Sequence, residues 1–218
     1  MPHVFDANPP ILDITATMGV EAPSWEGDPG FEHEVDDARS GGGSMVSRLA
    51  FGVHHGTHVD APAHFVPGGA MLEAYPLERF LLPAEVIDAG GAVAITPEHV
   101  ERSQVRPGGA LLFRTENSNR QLMHSPTFTR DFVAMSLPAA QKAVEMGAGM
   151  VGCDYLSIEA FGSEGHPVHM TLLGAEVLIL EGLDLTSVTP GSYFLLCQPL
   201  KLSGAEASPV RALLLPAR

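Results

Sequence analysis

The chain has 218 residues, 45% of them hydrophobic and 17% charged, which is enough apolar material for a sizeable core and not the composition of a disordered chain. Its 26 acidic against 12 basic residues give a formal net charge of −14 without any Lys/Arg cluster, so nucleic acid and anionic membrane surfaces are poor partners. The absence of a run of about 18 uncharged apolar residues, and of a basic and apolar leader, predicts a cytoplasmic protein with no transmembrane helix.

In chain order, "ILDIT" (11–15) reads as a short strand. Residues 21–44, "EAPSWEGDPGFEHEVDDARSGGGS", are rich in Gly, Pro, Asp and Glu without periodicity and are expected to form one long loop of the kind that often carries function. "MVSRLAFGV" (45–53) alternates as a strand does and leads into a cluster of histidines. "AEVIDAG" (84–90) is a further strand, and Thr96 as N-cap with Pro97 at the first helical position starts a short helix. "GALLFRT" (109–115) has the apolar run of a buried strand. Ser136 caps the clearest helix, "SLPAAQKAVEMGA", which Gly147 stops. "GMVGCD" (149–154) predicts a strand ending at Asp154, "EVLILEGL" (176–183) one ending near Glu181, and "SYFLLCQPL" (192–200) another. Cys153 and Cys197 lie in apolar runs and read as reduced core residues. With helices interspersed among strands and no repeat or linker composition, one α/β domain over 1–218 is expected.

The stretch "HHGTHVDAPAH" (54–64) holds four of the ten histidines, with one aspartate. His54, His58 and Asp60 follow H-x3-H-x-D, a donor set suited to zinc, manganese or iron(II). Gly56, Thr57, Val59 and Pro62 oppose a helix. A strand end with a bend at His55-Gly56 would place His58 and Asp60 on one face and bring His54 round to them. Metal sites draw on distant segments, and "GHPVHMTLLGAEVLILEGL" supplies His169 before an apolar turn and Glu181 at the tip of an apolar strand. A carboxylate there is either solvent-exposed or paired with a cation. Among the other histidines, His99 is expected to be solvated, His3 and His33 lie in segments without periodicity, and the roles of His55 and His124 are left open.

"HHGTHVDAPAHF" resembles the signature of the cyclase-type metal-dependent hydrolases, a family that includes bacterial kynurenine formamidase and isatin hydrolase. "ILDIT" with "PSWEGDP", then "LLFRTENS", "VGCDYLSIE" and "HMTLLGAEVLILEGL", resemble the family's other blocks in order, so the similarity covers most of the chain. The resemblance implies a swivelling β/β/α fold and a homodimer or homotetramer. It also implies metal ligation by His54, His58, Asp60, His169 and Glu181, with His64 as the catalytic histidine. Glu181 resembles the two-metal formamidases, in which the aspartate at the position of Asp60 bridges; two zinc ions are therefore expected, with manganese as the alternative. Trp25 matches an aromatic wall of the substrate pocket, and Phe65 and Met71 are expected to help shape it. Glu26 stands where proline is common, and 115–136 departs from the formamidase pattern.

The expected activity is hydrolysis of a formamide or amide bond of a small aryl substrate, N-formylkynurenine first, with a cyclic amide, imide or lactone as the alternative. His64 is expected to shuttle the proton. A non-catalytic metal-stabilised binding module is the reading from another class. An iron(II) oxygenase would leave His54 and His64 unexplained, and no G-x-S-x-G elbow supports a serine hydrolase.

Overall fold

The computed structural model of the protein describes residues 11–19 and 22–217; His3 lies outside them. The strands are β1 (Leu12–Asp13), β2 (Glu32–Asp37), β3 (Met45–Ala50), β4 (His58–Asp60) and β5 (Leu81–Asp88), then β6 (Ala110–Arg114), β7 (Met150–Cys153), β8 (Leu178–Glu181), β9 (Gly191–Leu196), β10 (Ala207–Pro209) and β11 (Leu213–Pro216). The α-helices are α1 (Pro97–Glu101), α2 (Glu116–Asn119), α3 (Leu137–Glu145) and α4 (Pro167–Gly174). No helix among the described residues is long and apolar enough to cross a membrane.

Nine strands form one mixed sheet in the order β1-β11-β9-β5-β6-β7-β8-β4-β10. Its middle, β5 to β8, is parallel, as each of these strands is joined to the next by a helical crossover through α1, α3 or α4. Parallel strands covered on both faces read as unbroken apolar runs, and β6, β7 and β8 are buried almost throughout. One face packs against the helices through Ile87, Phe113, Ala140, Val151, Leu172 and Ile179. The other curls around Ile14, Val59, Phe80, Leu112, Leu180 and Leu214. The curl is held where the ends approach: Thr15 bridges Leu183, and the Asp184 N–H donates to the Ile14 carbonyl at 3.0 Å.

Three expectations change. Residues 32–37, expected within the long loop, form β2, which pairs antiparallel with the expected strand β3 as a hairpin apart from the main sheet. Its strands are exposed almost throughout, so no buried face left a mark on the composition. His169 does not precede a turn but lies within α4, an apolar helix without the amphipathic alternation that sequence reading relies on. His99 is not merely solvated: its Nδ1 accepts the Thr96 N–H at 3.0 Å and closes a capping box where glutamate is usual. β1, β5 to β9 and the caps Thr96 and Ser136 lie where the sequence places them, whereas β10 and β11 have no counterpart in the sequence reading, and both cysteines are buried free thiols.

β4 lies between β8 and β10, and its approach is tight. Gly56 (φ +70°) and Gly182 (φ +69°) have left-handed backbone, and a Cβ on Gly182 would lie 2.3 Å from the Gly56 carbonyl oxygen. Backbone, not a movable side chain, fills that space. Gly182→Ala should therefore destabilise the fold by roughly 2–4 kcal/mol, through strain and overpacking, which a denaturant titration will read.

Candidate metal centre

β4 is three residues long and fully buried, so period-2 alternation sends His58 and Asp60 to one face while Val59 enters the core. His58 stands directly across from Glu181 in the β4–β8 register, and Asp60 across from Ile179. The cross-strand pair brings the His58 Nε2 to 3.3 Å from Glu181 Oε2 and 3.5 Å from Asp60 Oδ1. The bend at Gly56 turns His54 inward, and its Nδ1 lies 3.0 Å from Asp60 Oδ1. From α4, His169 places Nε2 3.3 Å from Glu181 Oε1. Five side chains from four segments thus converge. Pro62 starts a single helical turn, Pro62–His64, that carries His64 over the cluster with its ring centroid 4.0 Å from that of His54.

The donors form three groups, His54-Asp60-His64, His58-Asp60-Glu181 and Glu159-His166-His169, each with ligand atoms within 4.8 Å of one another. Asp60 is common to the first two. His64 therefore stands close enough to ligate as well as to carry protons. His169 adjoins the second group through Glu181.

The electrostatics are those of a site built for cations. Asp60 is completely buried, yet neither of its carboxylate oxygens is hydrogen-bonded, and the same holds for the His58 Nε2. Burial opposes charge on His58, but Asp60 and Glu181 push its imidazole up to about 9. Burial likewise opposes charge on His169, and Glu159 and Glu181 raise it to about 10. Burial would lift the Glu181 carboxyl, but His169 and His58 hold it far below the ordinary range. Burial pushes His64 below its ordinary value.

The ring orientations are fixed from behind. His58 Nδ1 lies 3.0 Å from the Gly56 carbonyl, and His169 Nδ1 lies 2.7 Å from Glu159 Oε2, so both rings turn Nε2 toward the cluster. His54 Nε2 faces Glu206 Oε1 at 3.6 Å.

A cleft of about 230 Å³ opens over the cluster, lined by Trp25, Phe65, His64, Leu156, His166 and Glu181 among others. Trp25 packs edge-on to Phe128 at 4.8 Å, and Phe65 packs against His64 and His169 at 4.2 and 4.4 Å. Met71 does not line the cleft; it is 38% exposed, and the neighbouring Leu72 takes the buried position. His55 is buried beside the cluster with Nδ1 3.2 Å from Ser24 Oγ, and His124 pairs with Asp184 at 3.1 Å. Glu26, the departure from proline, forms an ion pair with Arg130. Sequence reading missed Glu159, His166 and Glu206. "SIEAFG" offered only a single acid without spacing to a partner, and no periodic signal marks a residue that acts through a neighbour.

The model of the Cyclase family, described as "Putative cyclase", matches residues 12–160. A kynurenine formamidase of Salinibacter ruber is 31% identical over 207 residues, covering 94% of this chain and 96% of its own. The structure of a potential metal-dependent hydrolase with cyclase activity is 34% identical with a TM-score of 0.80, over 94% of this chain and 96% of that one. Isatin hydrolase A from Ralstonia solanacearum is 25% identical with a TM-score of 0.82, over 95% and 92%. The chain therefore belongs to the cyclase family of metal-dependent hydrolases.

Proposed function

We propose that the chain hydrolyses a carbon–nitrogen bond of a small aryl amide, with N-formylkynurenine as the first candidate. His54, His58, Asp60, His169 and Glu181 hold two divalent ions, zinc before manganese, and His64 carries the proton. The observation that carries this reading is Asp60: a wholly buried carboxylate, neither oxygen in a well-aligned hydrogen bond and only imidazole nitrogens beside it, shared by two donor groups. A charge so placed is tolerated where cations complete it. The Salinibacter ruber relative supports a formamide, and the isatin hydrolase likeness supports a cyclic amide as the second candidate.

Bound divalent ions supply Lewis acidity, lowering the pKa of water toward about 7 and polarising a scissile carbonyl. The chain's own groups do the rest. Trp25 and Phe65 give a flat aryl group apolar walls. His64, its basicity reduced by burial, is neutral at pH 7 and is free to accept a proton from the attacking water. It then returns that proton to the leaving nitrogen. We further infer a homodimer or homotetramer, which the family resemblance supports.

Purified protein supplied with zinc or manganese should hydrolyse at least one member of a panel of aryl formamides, cyclic imides and lactones, and a chelator should abolish the activity. Turnover that survives chelation would overturn the metal-dependent mechanism, and a panel without any turnover would favour the binding-module reading. His64→Ala should keep its metal content and lose about 10²–10⁴-fold in kcat. His58→Ala should lose metal by elemental analysis. Metal lost from His64→Ala would make His64 a ligand.

The imidazoles also set a pH dependence. In chelated protein His58 and His169 stay protonated to about 9 and about 10, above the unfolded value of about 6.5. Groups raised in this way add stability that is complete below pH ~6.5 and disappears as pH climbs through the folded values. The Tm of chelated protein should therefore fall between pH 7 and 10, and more steeply than that of zinc-loaded protein, whose rings are already deprotonated. Parallel pH profiles for the two forms would contradict the assignment.

A further inference from the structure

Glu159 is 3% exposed, is not one of the five proposed ligands, and plays no part in the chemistry set out above. Its carboxylate is used on both oxygens. Oε1 accepts the Val168 N–H at 2.9 Å, and Oε2 faces His169 Nδ1 at 2.7 Å. Val168 is the second residue of α4, whose first residue, Pro167, has no N–H, so Glu159 satisfies an otherwise unpaired donor of the helix start. The same side chain thus fixes where α4 begins and how the ring one residue further on is turned.

We propose that Glu159 is the positioning residue of the metal centre: it holds His169 as the Nδ1–H tautomer and so presents a bare Nε2 beside Glu181. The inference rests on the metal-site reading above. The chemistry is specific to a carboxylate. An Nδ1–H donated to Glu159 requires an acceptor, and the Val168 N–H requires a second one. A carboxylate offers both; an amide offers one acceptor and one donor. Glutamine at 159 would leave either Val168 or His169 facing an N–H. If His169 is the one affected, its ring turns to the Nε2–H tautomer, which cannot ligate. His58 does not depend on Glu159, because the Gly56 carbonyl holds its Nδ1. His54 has neither arrangement; its Nδ1 faces Asp60 and its Nε2 faces Glu206. One of the two proposed ion sites should therefore be sensitive to Glu159 and the other should not.

The test is zinc binding by wild type, Glu159→Gln and Glu159→Asp in competition with a chromophoric chelator. It is joined by long-range 1H–15N NMR of the histidine rings in zinc-loaded protein. Wild type should bind two equivalents and show the His169 Nδ1–H. Glu159→Gln should weaken one equivalent about 10–100-fold, leave the other unchanged and lose the His169 Nδ1–H signal. Glu159→Asp keeps two acceptor oxygens and should recover part of the lost affinity. A role confined to capping α4 would lower the Tm of chelated protein without this selective loss. Wild-type affinity for both equivalents in Glu159→Gln, with the Nδ1–H retained, would overturn the proposal and leave the metal site intact. No zinc uptake by wild type would overturn both. Should Glu159→Gln not fold, Glu159→Asp decides: unchanged affinities and ring signals overturn the proposal, and a partial loss at one equivalent supports it.

Discussion

A buried carboxylate without a hydrogen-bond donor is among the most costly groups a protein interior can hold, and Asp60 is such a group. The surrounding structure is arranged around that cost. The ring nitrogens within 3.5 Å of Asp60 belong to imidazoles, and each such nitrogen donates only in one tautomer or when the ring is charged. An ordinary folding solution would have put a backbone N–H or a hydroxyl there. Asp154, at the end of β7, has that solution: it accepts from the Thr115 and Ser118 amides and both their hydroxyls. The contrast separates the two carboxylates: the chain satisfies Asp154 with amide and hydroxyl donors and leaves Asp60 to the imidazoles around it, as the metal-site proposal requires.

Topology explains how so many charged groups meet without unfolding the sheet. β4 enters antiparallel between β8 and β10, so His58 sits opposite Glu181 at the carboxyl end of a parallel strand, with Asp60 on the same face two residues on. Parallel strands end in a crevice that their crossover helices border, and α4 delivers His169 to it directly. The close approach of β4 to the Glu181-Gly182 end requires the bare backbones of Gly56 and Gly182. Thr57 ties the two segments, its hydroxyl donating to the Gly182 carbonyl at 2.5 Å while accepting the Ala16 N–H at 2.8 Å.

The parts of this arrangement that the sequence discloses are those with a repeating or local signal. The apolar runs of β6, β7 and β8 identify themselves, as do the capped helices α1 and α3. H-x3-H-x-D identifies a metal-binding segment because its donors are adjacent in the chain and the strand period places two of them together. β2, and with it the hairpin it forms with β3, was illegible because its charged residues are exposed on both faces, so no alternation marks it. α4 was illegible because a helix apolar all round carries no period. Glu159 was illegible for a third reason: its importance lies wholly in what it touches, and its partners are nine and ten residues away in a helix that the composition does not announce.

Charge balance agrees with the two-ion proposal. Asp60, Glu181 and Glu159 bring three negative charges into a region nearly closed to water. With the imidazoles neutral, as ligation requires, a single divalent cation would leave the cluster net negative. That field would oppose hydroxide and the oxyanion of a tetrahedral intermediate, the two anions amide hydrolysis must stabilise. Two divalent cations reverse the sign. On that proposal the second carboxylate, Glu181, which stands across from His58, would share the extra charge while its Oε1 stays anchored on the Ile158 N–H at 2.7 Å.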